Sequence, residues 1–285
     1  MIRLAEPKHA YEHVLDQCIA GVTGNTALRL KLTAAKPDLL ALGNDYINRC
    51  ESGQLHSIAP TALDVDDPDV VLTMKKSELT RVYATYFVGK DKPARKIYTD
   101  LLVAAREICP FCGGIGRPRN LDHFLPKSRF PQFSVFPKNL VPSCRDCNME
   151  GKSEEFSTTQ ERQLIHPHAD DLKYFRDQWI FARFNGNPED PRVNLEYFVQ
   201  PPDSWDDIAV SRARNHFSSF DLSTRYAIRA AQQRTTVLRQ MVMLQQEGLS
   251  SDAIRRCLLI PGIKEAIFPN HWQRGLYQAL SNSLP

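Results

Sequence analysis

Four of the seven cysteines fall into two pairs, Cys109-x-x-Cys112 and Cys144-x-x-Cys147, with 31 residues between the pairs. Seven cysteines scattered over 285 positions would give about 0.2 such pairs by chance, so two mark a built feature. Each pair sets two thiols on one tight turn, and two facing turns complete the tetrahedral four-sulfur shell of a structural zinc site. Pro110, Gly113 and Gly114 suit the first turn. A shell closed by four thiolates has no open position for a substrate. Zn²⁺ at Cys109, Cys112, Cys144 and Cys147 is therefore expected to fasten the ends of a segment, not to catalyse. Cys18, Cys50 and Cys257 stand alone in helical text and read as small buried hydrophobes. A secreted disulfide scaffold would be smaller and denser in cysteine.

Hydrophobic residues make up 42% of the chain and charged residues 24%, which is globular composition and argues against wholesale disorder. No apolar run approaches the roughly 18 residues that a spanning helix needs, and the first residues lack the apolar stretch of a secretion signal. The expectation is a soluble, cytoplasmic protein with no membrane partner. The net charge is +3, and the excess lies in residues 172–285, with 14 basic and 11 acidic side chains. That is too small to identify a polyanionic partner, so local patches must decide.

The expected fold class is mainly α with a small α+β insert. Residues 1–75 read as a helical N-terminal region, with apolar periodicity over 9–20 and again over 27–50, bent or broken at Pro37. Leu79, Val82, Tyr83, Tyr86 and Phe87 form one helical stripe, and a second helix leads to Cys109. The section 109–152 changes character: Pro and Gly become frequent and polar residues crowd together. Residues 76–171 are expected to form the domain that carries the chemistry. The region 172–285 reads as mostly helical, with a long helix from about 223 to 246 and an irregular surface segment over 185–206.

Between the knuckles lies Leu121-Asp122-His123-Phe124-Leu125-Pro126-Lys127, then Pro137-Lys138-Asn139-Leu140-Val141-Pro142-Ser143, and Asn148 and Lys152 follow the second knuckle. A zinc-stapled loop can bring Asp122 and His123 to Asn148 across 24 intervening residues. A carboxylate oxygen and an amide oxygen are hard ligands suited to Mg²⁺ or Mn²⁺. A neutral imidazole beside such a site can take a proton from water attacking phosphorus.

The run Cys-Pro-Phe-Cys-Gly-Gly, Leu-Asp-His-Phe-Leu-Pro-Lys, Lys-Asn-Leu-Val-Pro-Ser-Cys-Arg-Asp-Cys-Asn and Lys152 resembles the HNH nuclease family in its zinc-containing ββα-metal form. The core of the match covers about 109–152. The resemblance implies a ββα-metal core flanked by helical regions and an endonuclease activity on DNA. It implies that Asp122 binds a catalytic Mg²⁺ or Mn²⁺, that His123 is the general base, and that Asn139 holds the loop and orients His123. Asn148, a variant of the usual histidine, would be the second ligand to that ion. Hydrolysis at the P–O3′ bond would leave a 5′-phosphate and a 3′-hydroxyl. In the family a basic residue often follows the third letter at three positions, whereas Lys152 lies four beyond Asn148 with Gly151 between. Lys127, Arg145 and Lys152 are expected to contact substrate phosphates, and His166, within His-Pro-His-Ala-Asp, to line the site.

The flanks add less. Arg212, Arg214, Arg225, Arg229, Arg234 and Arg239 either offer DNA phosphates a basic helix face or belong to a solvated amphipathic helix packed on the core. Stand-alone HNH proteins of bacterial and phage defence also have helical flanks, and some act beside an ATPase subunit or a retron, so the resemblance implies an antiviral role and such a partner at the level of fold only. Two other readings stay open from the residues: a non-catalytic zinc-stabilised nucleic-acid-binding module, and an RNA-cleaving HNH toxin.

Overall fold

The computed structural model describes residues 1–62, 64–152, 156–190 and 192–285, with the backbone alone over 150–152. About half the chain is helical and the sheets are small, which agrees with a mainly α fold carrying an α+β insert. The chain forms two compact units, one of residues 3–170 and the other of 171–285 with Met1 and Ile2. Among the described residues no helix is long and apolar enough to cross a membrane.

In the unit of 3–170, α1 (Tyr11–Gly21) and α2 (Thr26–Glu51) pack together. Helix α2 begins where the Asn25 side chain accepts the Leu28 N–H at 3.0 Å, a regular cap. Of the bend or break expected at Pro37, the break does not occur: the helix runs on through the proline, which removes one N–H while Leu32, Ala35 and Leu39 remain buried on the inner face. Gly43 sits where α2 meets α1. A Cβ there would come within 2.9 Å of the Tyr11 ring and 3.2 Å of Phe136, so close approach explains a glycine in mid-helix. A short hairpin of β1 (Asp69–Val71) and β2 (Met74–Lys75) leads into α3 (Lys76–Arg81), which widens into a π turn over Val82–Phe87. The Glu78 carboxylate accepts the Lys75 N–H at 2.9 Å and caps the start of α3. Helix α4 (Arg95–Val103) precedes the first knuckle.

The insert is an antiparallel pair, β3 (Asn120–His123) and β4 (Leu140–Ser143), with Asp122 opposite Val141 and His123 opposite Leu140. Leu121 and Leu140 enter the hydrophobic cluster formed by α1, α2, the α3 helix with its π turn, and α4, so the hairpin is seated on the helices. Beyond β4 the chain turns helical at Arg145 and continues as a wide turn over Cys147–Lys152. The 16-residue connection from β3 to β4 holds little regular structure, which calls for another source of order. Phe130, Phe133 and Phe136 provide it. All three are buried, and Tyr46 of α2 meets the rings of Phe133 and Phe136 edge-on at 4.9 and 5.1 Å. Each buried ring contributes about 1.5–3 kcal/mol.

In the unit of 171–285, a short α5 (Lys173–Arg176) is followed by β5 (Ile180–Phe184) paired antiparallel with β6 (Leu195–Val199). β6 lies inside the segment expected to be irregular, a correction: Leu195-Glu196-Tyr197-Phe198-Val199 buries Leu195 and Tyr197 in the alternation of a half-buried strand. Then come α6 (Asp207–Ser219), α7 (Leu222–Gln246), α8 (Ser251–Ile254), α9 (Ile260–Lys264) and α10 (Trp272–Ser283). Cys257 is exposed, not buried as its surroundings suggested.

The arginines of this unit are largely structural. The Arg234 guanidinium donates to the carbonyls of Pro188, Val193 and Asp190, with the shortest two contacts at 2.6 Å, and so clasps the loop between β5 and β6. Arg212 is buried beneath the Tyr174 ring and Arg229 lies over Trp272 at 5.8 Å. Ile228 of α7 is 71% exposed. Of the α7 arginines, Arg234 is therefore committed to loop carbonyls, and Arg225 gives one N–H to the Phe220 carbonyl at 3.1 Å.

Candidate metal centre and adjoining cavity

The two knuckles meet. The sulfurs of Cys109, Cys112, Cys144 and Cys147 all lie within 4.8 Å of one another, and all four residues are buried. Four sulfurs at the vertices of a zinc tetrahedron, with Zn–S near 2.3 Å, stand about 3.8 Å apart. Cys112 Sγ and Cys144 Sγ are separated by 3.9 Å, so the donor set and its size fit a structural zinc ion. Backbone N–H groups already point at the sulfurs, Gly116 to Cys112 and Cys144 to Cys109, each at 3.5 Å, which favours thiolate over thiol. Burial raises the Cys109 thiol well above its usual range, whereas hydrogen bonds from the other three thiols hold Cys112 well below it. Gly116 is required by space: a Cβ there would stand 2.7 Å from Cys144 Sγ.

The second knuckle positions the neighbouring chemistry. Asn148 directly follows Cys147, and its N–H donates to the Cys144 carbonyl at 3.0 Å, so the turn that places the thiols also places the amide. Asp122 and His123 arrive on β3. Neighbours on a regular strand face opposite sides, but His123 is the last paired residue of β3, and the chain departs from the strand there. Asp122, His123 and Asn148 line one cavity of about 500 Å³, together with Lys76, Thr80, Pro126, Lys127 and Ser128. Asp122 is 8% and His123 6% exposed, so both act where bulk water screens little.

His123 is oriented from two sides. Its Nε2 lies 2.9 Å from the Ser134 carbonyl, and because a carbonyl only accepts, Nε2 carries the proton. In the neutral ring the basic lone pair is then on Nδ1. The Tyr83 ring, carried by the π turn, meets the imidazole edge-on at 4.4 Å, and its hydroxyl donates to the Leu121 carbonyl at 3.3 Å.

Asn139 is fully buried and holds the loop that follows His123. Its Oδ1 accepts the Leu125 N–H at 2.7 Å and the Tyr46 hydroxyl at 3.0 Å, and its Nδ2 donates to the carbonyls of Leu125 and Phe133 at 3.1 and 3.2 Å. The Phe124 N–H closes the loop on the Asn139 carbonyl at 2.7 Å. Asn139 is thus a positioning residue. Asn139→Ala is expected to lose about 3–5 kcal/mol of stability, because it strands buried donors and acceptors together; urea unfolding measures this.

His166, expected at the substrate, is fully buried instead. Its Nε2 stands 3.0 Å from the Tyr46 hydroxyl, which already donates to Asn139, so His166 donates and the tyrosine oxygen accepts. The His168 N–H in turn approaches His166 Nδ1 at 3.2 Å. His166 does not line the cavity but supports the loop beside it, through Tyr46 and Asn139 and through the Phe124 ring at 4.2 Å, and sequence spacing alone could not separate that support from direct contact. His168 is buried, its Nδ1 donating to the Ala5 carbonyl at 3.2 Å, and burial pulls its pKa down to about 4. The folded state therefore favours the neutral ring. This contribution is complete above the ordinary value near 6.5 and disappears as pH falls toward about 4, up to about 3 kcal/mol. The urea midpoint is expected to fall across that window, and by less in His168→Asn.

Arg145 is exposed at the start of the helical turn and does not line the cavity; the side chain of Lys152 lies outside the described residues. Lys76, Thr80 and Ser128 do line it and carried no signal in the sequence. Lys76 and Thr80 stand on a flanking helix with no motif of its own, and Ser128 lies beyond the quoted run.

No family model matches the chain. No solved structure matches it either. The chain is similar to Protein ea31 of Escherichia phage lambda, at 34% identity over 300 aligned residues that cover 99% of this chain and 98% of that protein. Identity at that level over nearly the whole of both sequences means that the chain belongs to the family of Protein ea31.

Proposed function

We propose that the protein is a metal-dependent HNH endonuclease that hydrolyses phosphodiester bonds in DNA. One observation carries the reading: a carboxylate, an imidazole with its lone pair on Nδ1, and an amide line a single cavity with two lysines. The order of elements supports it as well, since an antiparallel pair is followed directly by a helical turn that shares its first residues with a four-cysteine cluster.

Asp122 and Asn148 would hold one Mg²⁺ or Mn²⁺, their oxygen donors being the hard type such ions take. When bound, the ion supplies neutralisation of charge on the phosphate and on the departing oxygen. His123 Nδ1 takes a proton from the attacking water as the water oxygen bonds to phosphorus. The P–O3′ bond then breaks, and O3′ gains a proton from solvent. Ser134 and Tyr83 keep the imidazole in place, and Asn139 with Tyr46 holds the loop from which the Ser134 carbonyl comes. Lys127 contacts the backbone at the cavity, and Arg145 serves phosphates further along. A role in defence against phage, beside an ATPase or a retron, rests on the motif resemblance alone.

The test incubates purified protein with plasmid, single-stranded DNA and RNA, in Mg²⁺, Mn²⁺ or chelator. Metal-dependent cleavage of DNA with 5′-phosphate ends is the expected result. Cleavage of RNA alone would move the substrate to the toxin reading, and no cleavage of any substrate by zinc-loaded protein would reject the nuclease assignment.

A further inference from the structure

The cavity has a wall that the motif does not contain. Lys76 and Thr80 stand four residues apart on α3 and so face the same side, opposite the loop residues Lys127 and Ser128. The lysines around the start of α3 differ in their close ion pairs, although the charges of both Lys75 and Lys76 act on Asp67. Lys75 lies 3.6 Å from Asp69, and Lys31 pairs with Glu78 of α3 at 2.9 Å. The nearby Asp67 carboxylate is held by the Ser77 N–H and hydroxyl, both at 2.7 Å. Among the described residues, by contrast, neither Lys76 nor Lys127 has a carboxylate within 4.0 Å, although both share the cavity with Asp122. Ser128 adds a second, independent observation: its hydroxyl is buried and has no hydrogen-bond partner among the described residues. A buried hydroxyl ordinarily finds a partner, so its place in the lining of this cavity points to an acceptor that arrives with a ligand.

We infer that Lys76 binds a phosphate of the nucleic-acid backbone next to the scissile one, with the Ser128 hydroxyl as a second donor from the loop that carries Lys127. This deepens the nuclease reading and rests on it for the identity of the scissile phosphate. The charge balance favours a polyanion over a neutral ligand: two lysines face one carboxylate, and a divalent ion at Asp122 and Asn148 would make the lining more positive still. A volume of about 500 Å³ is in the range of pockets that enclose a small ligand, enough for a sugar and its phosphate. Lys76 thus joins the site from a helix about 45 residues before Asp122, brought there by the seating of β3 on the helical cluster.

The experiment reads binding rather than turnover. His123→Ala protein, loaded with zinc and held in Mg²⁺, is titrated with a fluorescent 20-base-pair DNA duplex at several NaCl concentrations. Adding Lys76→Ala is expected to weaken binding about 5–10-fold at 0.1 M salt and to reduce the slope of log K against log[salt] by about 0.7–0.9, the contribution of one phosphate. Lys76→Arg should restore the slope, and Ser128→Ala should weaken binding without changing it. Zinc content and the urea midpoint of each variant check the fold. An unchanged slope in Lys76→Ala, or no duplex binding by the His123→Ala protein, overturns the inference. Cleavage by the wild-type protein is scored separately: cleavage with an unchanged slope removes Lys76 alone, and a changed slope without cleavage removes the nuclease reading but leaves the phosphate contact.

Discussion

Cys144→Ser is expected to abolish zinc binding at the four-cysteine site and, with it, the order of residues 109–152. Wild-type protein is expected to carry one zinc per chain by atomic emission, and the variant well under half of that. In small domains a structural zinc site binds with about 10–16 kcal/mol, and that free energy is folding free energy for the residues it closes. Here the loss would reach Asn148 directly, because its N–H is bonded to the Cys144 carbonyl, and β4 next, because Ser143 ends it. Trypsin should then cut at Arg119, Lys127 and Arg129, which lie within the loosened segment. The helices of 171–285 have their own buried core, with Trp179, Tyr197, Tyr226 and Leu276, so most far-UV helical signal should remain. Gly116→Ala is a gentler form of the same experiment, since its Cβ would press on Cys144 without removing a ligand.

His123→Ala separates chemistry from folding. Loss of a positioned general base typically slows a reaction by about 10²–10⁴-fold, and cleavage is expected to fall by that factor. The ring gives up its contacts with Ser134 and Tyr83, while all four cysteines keep their side chains. Zinc content should therefore stay at one per chain, and duplex binding should persist. Two variants with opposite signatures follow, one losing zinc and structure, the other losing only rate. A non-catalytic zinc module would show no rate to lose in either.

Much of the site was legible because its chemistry depends on residue types at fixed spacing. Two Cys-x-x-Cys pairs permit few geometries, and they do converge; Asp122, His123 and Asn148 share a cavity because one knuckle and one hairpin constrain them. Helices α1, α2 and α7 were readable from periodicity. The errors came where local text is ambiguous. Leu195–Val199 is only five residues long and sits between turn-forming segments, so its alternation was outweighed by the prolines around it. Arg234 and Arg212 look like surface cations in sequence, yet carbonyls of a loop and a tyrosine ring claim them. His166 belongs to a tertiary network through Tyr46, 120 positions away, which no spacing rule reports. Lys76 was missed for the same reason: its place at the cavity follows from how α3 packs, not from what surrounds it in the chain.

The most direct test of the central claim is anomalous diffraction from crystals of the zinc-loaded protein grown with Mn²⁺. One manganese peak should appear in the cavity, within ligand distance of an Asp122 carboxylate oxygen and Asn148 Oδ1, with His123 Nδ1 facing it and the zinc peak apart among the four sulfurs. A manganese bound elsewhere, or Asp122 and Asn148 without a shared ion at saturating Mn²⁺, would contradict the account.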